Sequence, residues 1–370
     1  MRLLHVVSGL GFGGNESICF QLIKNAPSDT ENFLVSLNSN YAEMLPCFQN
    51  FVCKENIFIC HYQSRNKLWF ILKLWRLLLA VKPTTILVQP FGLHIFVAVA
   101  ARLAGVPRIL TRAGNPAPQD SHLRQKWKRI IQLSRWLNVP IHACSTSTHQ
   151  SLQALASLPE GSFPIPNGCD VLAIRARVKA VRQLRPSSSK TVIGMIARLN
   201  PIKDQTTLIH AFQILHQDFP NTELWLVGDG ADRARLEQLC QRMQVSNEVK
   251  FWGSRSDIPE LLGKMDIYAF STTEAEGFGI ALIEAMAAAL PVVASDVPAC
   301  REVLDNGGVG ILVPPQDANA MAKALEILLL SSDQRQRWGQ LAYHRAVEHY
   351  SIQTCAQRWY DCLLPSEERV

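Results

Sequence analysis

Short apolar runs alternate with amphipathic stretches along the first half of the chain. The runs at 3–7, 33–37, 57–60, 86–88, 109–111 and 141–144 have the length and apolar character of buried strands. Between them the pattern changes period: Leu68, Ile71, Leu72, Trp75, Leu78 and Leu79 recur at i, i+3, i+4 and i+7, as on the inner face of a helix. Strand and helix in regular alternation predict a parallel sheet with helices on both faces. At 177–190 ("RVKAVRQLRPSSSK") hydrophobicity drops and the segment closes on Pro-Ser-Ser-Ser, which predicts a linker. A second series follows, with strands at "TVIGMIA", "ELWLVG", "VKFWG", "DIYAFS", "PVVAS" and "GILVP", and helices from about Asp317 to the end. The expected division is a first domain over 1–175, a linker over 176–190, a second domain over 191–350 and a last segment over 351–370.

Length and composition fit this picture. The chain of 370 residues is long enough for two domains with separate cores, and 48% hydrophobic with 18% charged residues is the balance of a soluble α/β protein. The most apolar stretch, 68–81, is too short to span a bilayer and carries Lys73 and Arg76. The opening "MRLLHVVSGL" lacks a small-residue cleavage site and runs into a glycine loop, so it reads as a first strand and not as a signal peptide. Ten cysteines without a Cys-x-x-Cys pair predict neither a zinc site nor a disulfide framework, and free thiols suit a reducing cytoplasm.

Charge is unevenly spread. Residues 1–175 hold 17 Lys/Arg against 8 Asp/Glu, a balance of +9, which leaves −3 for the rest of a chain whose net charge is +6. Between Glu55 and Glu160 the single acid is Asp120. Such a region attracts an anionic surface or an anionic acceptor, and no nucleic-acid motif accompanies it. Its densest part is "SHLRQKWKRIIQLSRWL" at 121–137, where Arg124, Lys126, Lys128, Arg129 and Arg135 lie near Trp127 and Trp136. Aromatic residues among cations on one helix predict either a membrane-surface helix or an ordinary core-facing helix with a basic outer face.

The richest chemistry is in "EAEGFGIALIEAMAAALPVVAS". Glu276 and Glu284 stand on either side of Gly277-Phe278-Gly279, and the apolar run 280–290 predicts a buried helix whose first N–H groups face an anion. Ionised carboxylates accept strong hydrogen bonds from sugar hydroxyls, so the pair suits a hydroxylated ligand on each side of a phosphate bridge. Arg198 and Lys203 follow the strand "TVIGMIA", at the strand end where α/β sheets hold ligands, and two cations there suit a departing diphosphate. Gly9, Gly11 and Gly14 match a dinucleotide spacing, but the second strand lacks the acid that would hold a ribose, which argues against NAD. Gly13 and Gly14 instead let the backbone approach a donor phosphate or an acceptor. Asp229 and Asp232 read as a turn and a helix cap.

These segments, with "GLGFGGNES", "PNGCD", "IARLNPIKD", "LVGDG" and "FWGSRSD", together resemble the retaining glycosyltransferases of family 4. The resemblance implies the GT-B fold, two Rossmann-like domains facing across a cleft, with the acceptor bound by the first domain, the nucleotide sugar by the second, and the last helix crossing back to the first. It implies that Glu276 acts on the sugar and Glu284 on the ribose, and that Gly228, Ser254 and Arg255 belong to the donor site, the base being held by main-chain groups near the last two. It also implies retention of configuration without a metal or other cofactor. One departure stands out: where the family commonly has a His, this chain reads "TRAGNP". Arg112, Asn115 or His94 are the candidates to replace it, and Asn115 joins Glu276, Arg198 and Lys203 as an expected catalytic residue. The expected activity is transfer of a sugar to a saccharide or lipid-linked saccharide by a cytoplasmic or peripheral membrane protein. The alternatives are a sugar-phosphate synthase or phosphorylase, and a silent carbohydrate-binding protein.

Overall fold

The computed structural model describes residues 1–11, 13–38, 42–62, 66–185 and 190–364. The chain divides into two compact units, one of residues 1–168 with 352–370 and one of residues 169–351.

Unit 1 contains β1 (Arg2–Val7), β2 (Glu31–Ser36), β3 (Ile57–Ile59), β4 (Thr85–Val88), β5 (Arg108–Ala113) and β6 (Ile141–Ala143). All are parallel, in the order β3-β2-β1-β4-β5-β6. Apolar side chains pack on both faces. Leu4, Val6, Phe33, Val35, Ile86 and Val88 meet the helix Lys67–Val81 through Phe70, Leu74 and Leu78. On the other face Val7 and Leu34 meet Cys19 and Ile23 of the helix Gly14–Lys24. The helix Ile352–Leu363 is part of this unit: Tyr360 donates to the Leu22 carbonyl at 2.8 Å, and Thr85 to the Leu363 carbonyl at 3.1 Å.

Unit 2 repeats the plan. Its strands are β7 (Thr191–Ile196), β8 (Thr222–Val227), β9 (Val249–Gly253), β10 (Ile267–Phe270), β11 (Val292–Ser295) and β12 (Ile311–Val313), ordered β12-β11-β10-β7-β8-β9. Read from its own first strand, this is the same doubly wound order as in unit 1. Each sheet therefore reverses direction once, between β1 and β4 and between β7 and β10, and ligands of such sheets bind at the carboxyl edge at that point. The α/β class and the strand runs expected from the sequence are all found.

The expected linker needs correction. Residues 171–183 form the helix Val171–Gln183, capped by Asp170 accepting from Ala173 N–H at 3.1 Å. Val171, Ile174 and Val178 make a buried stripe on it. Unit 2 thus begins at Cys169, before the expected domain end at 175, and residues 186–189 lie outside the described residues. All ten cysteines are free. Among the described residues no helix is long and apolar enough to cross a membrane.

Candidate active site

The site in unit 2 is built by loops leaving the carboxyl ends of β7, β8 and β10. After β7, Leu199 N–H donates to the Asp229 carbonyl at 3.0 Å and the Leu199 carbonyl accepts from Asp232 N–H at 3.2 Å, which stitches the loop to the one after β8. Closeness is possible because Gly228 lies at φ +131° with any Cβ aimed into the Ala197 carbonyl, and a Cβ on Gly230 would run into Leu199. The chain then makes the short 3-10 turn Pro201–Lys203, where the Asn200 side chain accepts from Lys203 N–H at 3.3 Å.

This turn is fastened in the other direction to the end of β10. Thr273 N–H and the Thr272 hydroxyl both reach the Ile202 carbonyl at 2.9 Å, and the Ser271 hydroxyl donates to the Lys203 carbonyl at 3.3 Å. The consequence is that Lys203, from β7, meets Glu276, from β10, across the switch point. Lys203 Nζ donates to Glu276 Oε2, and the ammonium also lies 5.1 Å from the centre of the Phe270 ring. The other carboxylate oxygen accepts from the backbone N–H groups of Gly277 at 3.1 Å and Phe278 at 3.4 Å. The Glu276 side chain is 9% exposed. Burial alone would push its carboxyl up, but the Lys203 charge and these hydrogen bonds outweigh it and hold the group below its ordinary value.

Gly279 (φ +88°) ends the Gly-Phe-Gly turn in a left-handed conformation and caps the helix Ile280–Ala287. Phe278 fills the space beneath, 2% exposed and edge-on to Tyr350 at 5.6 Å. The helix stops three residues short of the expected 290. Glu284 sits one turn inside it, and no hydrogen bond or ion pair reaches its carboxyl among the described residues. Burial raises that carboxyl to about 7. Two glutamates eight positions apart are therefore in opposite states, one ionised and paired, the other near half-protonation at neutral pH. Arg198 is exposed, and its guanidinium makes no hydrogen bond or ion pair among the described residues.

Ser254 and Arg255 leave β9, two strands from β7 and so about 10 Å away along the edge. The Arg255 side chain is held by Asp257 at 2.7 and 2.6 Å, so its guanidinium is already engaged. Asp229 accepts from Gly230 N–H at 2.8 Å and pairs with Arg233, as a turn residue. Asp232 stands at a helix start, but its side chain makes no cap bond and pairs with Arg235 at 2.8 Å, which corrects the expected cap.

In unit 1, Arg112 ends β5 buried, at 2% exposure. Its guanidinium donates to Asn15 Oδ1 and, at 2.7 Å, to Asn167 Oδ1. It thereby joins the first turn after Gly13 and Gly14 to the Pro166-Asn167-Gly168 segment. No carboxylate pairs with it among the described residues. Neither Asn partner was singled out from the sequence, although each sits next to a glycine of a recognised motif. Asn115 follows in the same loop and is exposed. His94 is a different matter. It is fully buried, accepting from Gly92 N–H at 3.0 Å and meeting Ser134 Oγ at 2.9 Å, and burial lowers its pKa to about 3. Since the Ser134 hydroxyl donates to the Ile130 carbonyl at 2.8 Å, His94 donates to Ser134, a neutral ring with both nitrogens satisfied. It is a core residue, not a replacement for the absent His.

The basic helix forms as Ser121–Trp136, with Asp120 accepting from Leu123 N–H at 2.8 Å. Trp127 turns inward against Phe91 at 4.8 Å, so of the two expected aromatic anchors only Trp136, 80% exposed, faces solvent. Lys126, Lys128, Arg129 and Arg135 are exposed.

The chain is similar to the phosphatidyl-myo-inositol mannosyltransferase of Mycobacterium leprae, 32% identical over 222 residues, and to that of Mycobacterium tuberculosis, 34% over 212. The first match covers 58% of each chain and the second 55% of this chain and 54% of the relative, so this protein spans little more than half the length of either. A crystal structure of Anabaena HepE in complex with UDP and glucose superposes with a TM-score of 0.86 at 21% identity, covering 98% of this chain and 99% of the other, which establishes the shared GT-B fold. Residues 177–345, which hold the Lys203–Glu276 pair and Glu284, match the family described as glycosyl transferases group 1.

Proposed function

We propose that this protein transfers a sugar from a nucleoside-diphosphate donor to a hydroxyl of a saccharide or lipid-linked saccharide, in the synthesis of a surface polysaccharide or glycolipid. The observation that carries this reading is the Lys203–Glu276 pair at the switch point of the unit 2 sheet, with Arg198 exposed on the same loop. Lys203 and Arg198 neutralise the charge that grows on the diphosphate as the glycosyl bond breaks, an interaction stronger in the transition state than in the ground state. Glu276 accepts from hydroxyls of the transferred sugar, and Glu284 from those of the ribose. Gly228, Ser254 and Gly277 to Gly279 bring main-chain groups to the donor. The reaction runs without a metal cofactor, and Asp229 and Asp232 are already engaged with arginines. Retention of configuration follows the resemblance in motifs.

Unit 1 is the acceptor side in this reading, with the loop around Gly13, Gly14 and Asn115 as its candidate surface. The exposed cations of the Ser121–Trp136 helix draw it to the anionic cytoplasmic face of a membrane, each worth on the order of 1 kcal/mol near such a leaflet. Two measurements test the proposal. A thermal-shift screen of nucleotide sugars should find a donor that stabilises the wild type and fails to stabilise Glu276→Gln or Lys203→Ala; no response to any nucleotide would overturn the donor assignment. Cosedimentation with anionic vesicles should weaken with salt and vanish when Lys126, Lys128 and Arg129 are reversed in charge. Equal, negligible binding to anionic and neutral vesicles would make the helix plain surface.

A further inference from the structure

A depression of ≈ 580 Å³ opens in unit 2 away from the residues described above, and Arg175, Arg182, Arg185 and Arg335 line it together with Asp266. Three lining positions fix its place: Thr191 begins β7, Asp266 precedes β10 and Pro291 precedes β11. It therefore lies at the amino edge of the sheet, whereas Arg198, Lys203 and Glu276 lie at the carboxyl edge. The length of β7 puts about 20 Å between the two.

The cations are not there to satisfy one another's counter-charges. Arg185 binds Asp266 through both carboxylate oxygens at 2.8 Å, and that aspartate also accepts from Val192 N–H, so its negative charge is taken up. Arg175 donates one N–H to the Ala288 carbonyl at 2.9 Å, and Arg335 reaches the carbonyls of Leu328 and Leu329 at 2.6 and 3.2 Å. Each guanidinium has five donors, so both have N–H groups left. The Arg182 guanidinium has no hydrogen-bond or ion-pair partner among the described residues. Partial desolvation, and then repulsion from Arg175, lowers its pKa, while Asp266 acts in the opposite sense. Gln336 and Gln340, one turn apart on the Ser332–Tyr350 helix, add neutral donors to the wall.

We propose that this depression is a binding site for a phosphate-bearing anion, distinct from the donor residues. Planar guanidinium groups from two helices suit several phosphate oxygens at once. The occupant ties the Val171–Gln183 helix to the Ser332–Tyr350 helix. These begin and end near 168/169 and 351/352, where the chain passes between its two units, so the ligand bears on the two helices that carry the chain into and out of unit 2.

The proposal does not depend on glycosyl transfer. It is tested by calorimetric titration of inorganic pyrophosphate into the full chain carrying Arg198→Ala, which weakens any binding at the donor edge. One pyrophosphate should still bind, less tightly as salt rises, and adding Arg182→Glu should weaken it by about tenfold or more. Arg182→Gln should give a smaller loss in the same direction, and serves if the reversal does not fold. Cosedimentation with phosphatidylglycerol and phosphatidylcholine vesicles separates the sources. A lipid headgroup is the ligand if Arg182→Glu also releases the protein from the anionic vesicles, and a soluble phosphate compound is the ligand if vesicle binding is unchanged while pyrophosphate is lost. Equal pyrophosphate binding with and without Arg182→Glu overturns the site.

Discussion

Replacing Glu284 by Gln should make the protein more stable and bind its nucleotide less well, with the stability gain appearing only as pH rises. Burial holds the Glu284 carboxyl at about 7, against 4.5 for an exposed glutamate, a difference of 7 − 4.5, or about 2.5 units. Between these values the folded protein keeps a proton that the unfolded chain has released. Stability therefore falls as pH climbs through the window, by about 3 kcal/mol in all at 1.36 kcal/mol per unit. Glutamine has the same shape and no charge to bury. The variant should match the wild type near pH 4.5, pull ahead through pH 6 and hold its full advantage above pH 8. Urea denaturation at a series of pH values reads this directly, as a divergence of midpoints with unchanged slopes. The cost should appear in binding: a charged acceptor for ligand hydroxyls is worth about 1.5–3 kcal/mol, so the variant should bind the nucleotide about tenfold to a hundredfold more weakly. Parallel stability curves for the two proteins from pH 4.5 to 8 would show that the carboxyl bears no burial cost, and the reasoning about the site would fail with it.

Three further outcomes follow from the geometry. Lys203→Ala leaves the Glu276 carboxylate buried without its cation and should cost about 3–5 kcal/mol of stability, while kcat falls more than acceptor KM changes; an effect confined to acceptor KM contradicts the role. Gly228→Ala forces a side chain into the Ala197 carbonyl at φ +131° and should lower stability by about 3 kcal/mol, seen as a drop of about 10 °C in Tm, whereas Gly9→Ala, where a Cβ meets nothing, should be close to neutral. Arg112→Met should destabilise the protein and loosen the Asn15 and Asn167 segments, read as faster amide exchange there, while nucleotide binding to unit 2 stays unchanged; unchanged exchange at both segments would show that Arg112 does not hold them together.

The parts of this protein that were legible in the sequence are those whose cause is local. Parallel strands packed on both faces are predominantly apolar, so β4, β8, β10 and β11 appear as unbroken buried runs, with Glu223 of β8 paired to Lys250 and Lys190 as the charged exception. Most of the residues proposed for the donor are equally local, since Arg198, Lys203 and Glu276 each follow a strand end. The helix Val171–Gln183 was misread because it buries only a thin stripe, leaving arginines and a lysine outward, and its low hydrophobicity imitates a linker. His94 was misplaced for a related reason: its partners Gly92 and Ser134 turn a polar residue into core, and Ser134 lies forty positions away.

The same reasoning separates the two arginine features that no local pattern announced. Arg112 donates to two amide oxygens, which meet much of its buried charge while Nε stays unpaired among the described residues, and it reads as a clasp within unit 1. In unit 2 the situation is reversed. Arg175 and Arg182 share a helix face seven positions apart, Arg185 follows, and Arg335 arrives from the other end of the domain. Only folding brings them together, around one aspartate that is already engaged. Like charges converging at such a place oppose folding, by about 1 kcal/mol per close pair even in water and more when partly buried. A clasp explains its own charge through its partners, whereas a cluster of this kind is explained by the anion it attracts.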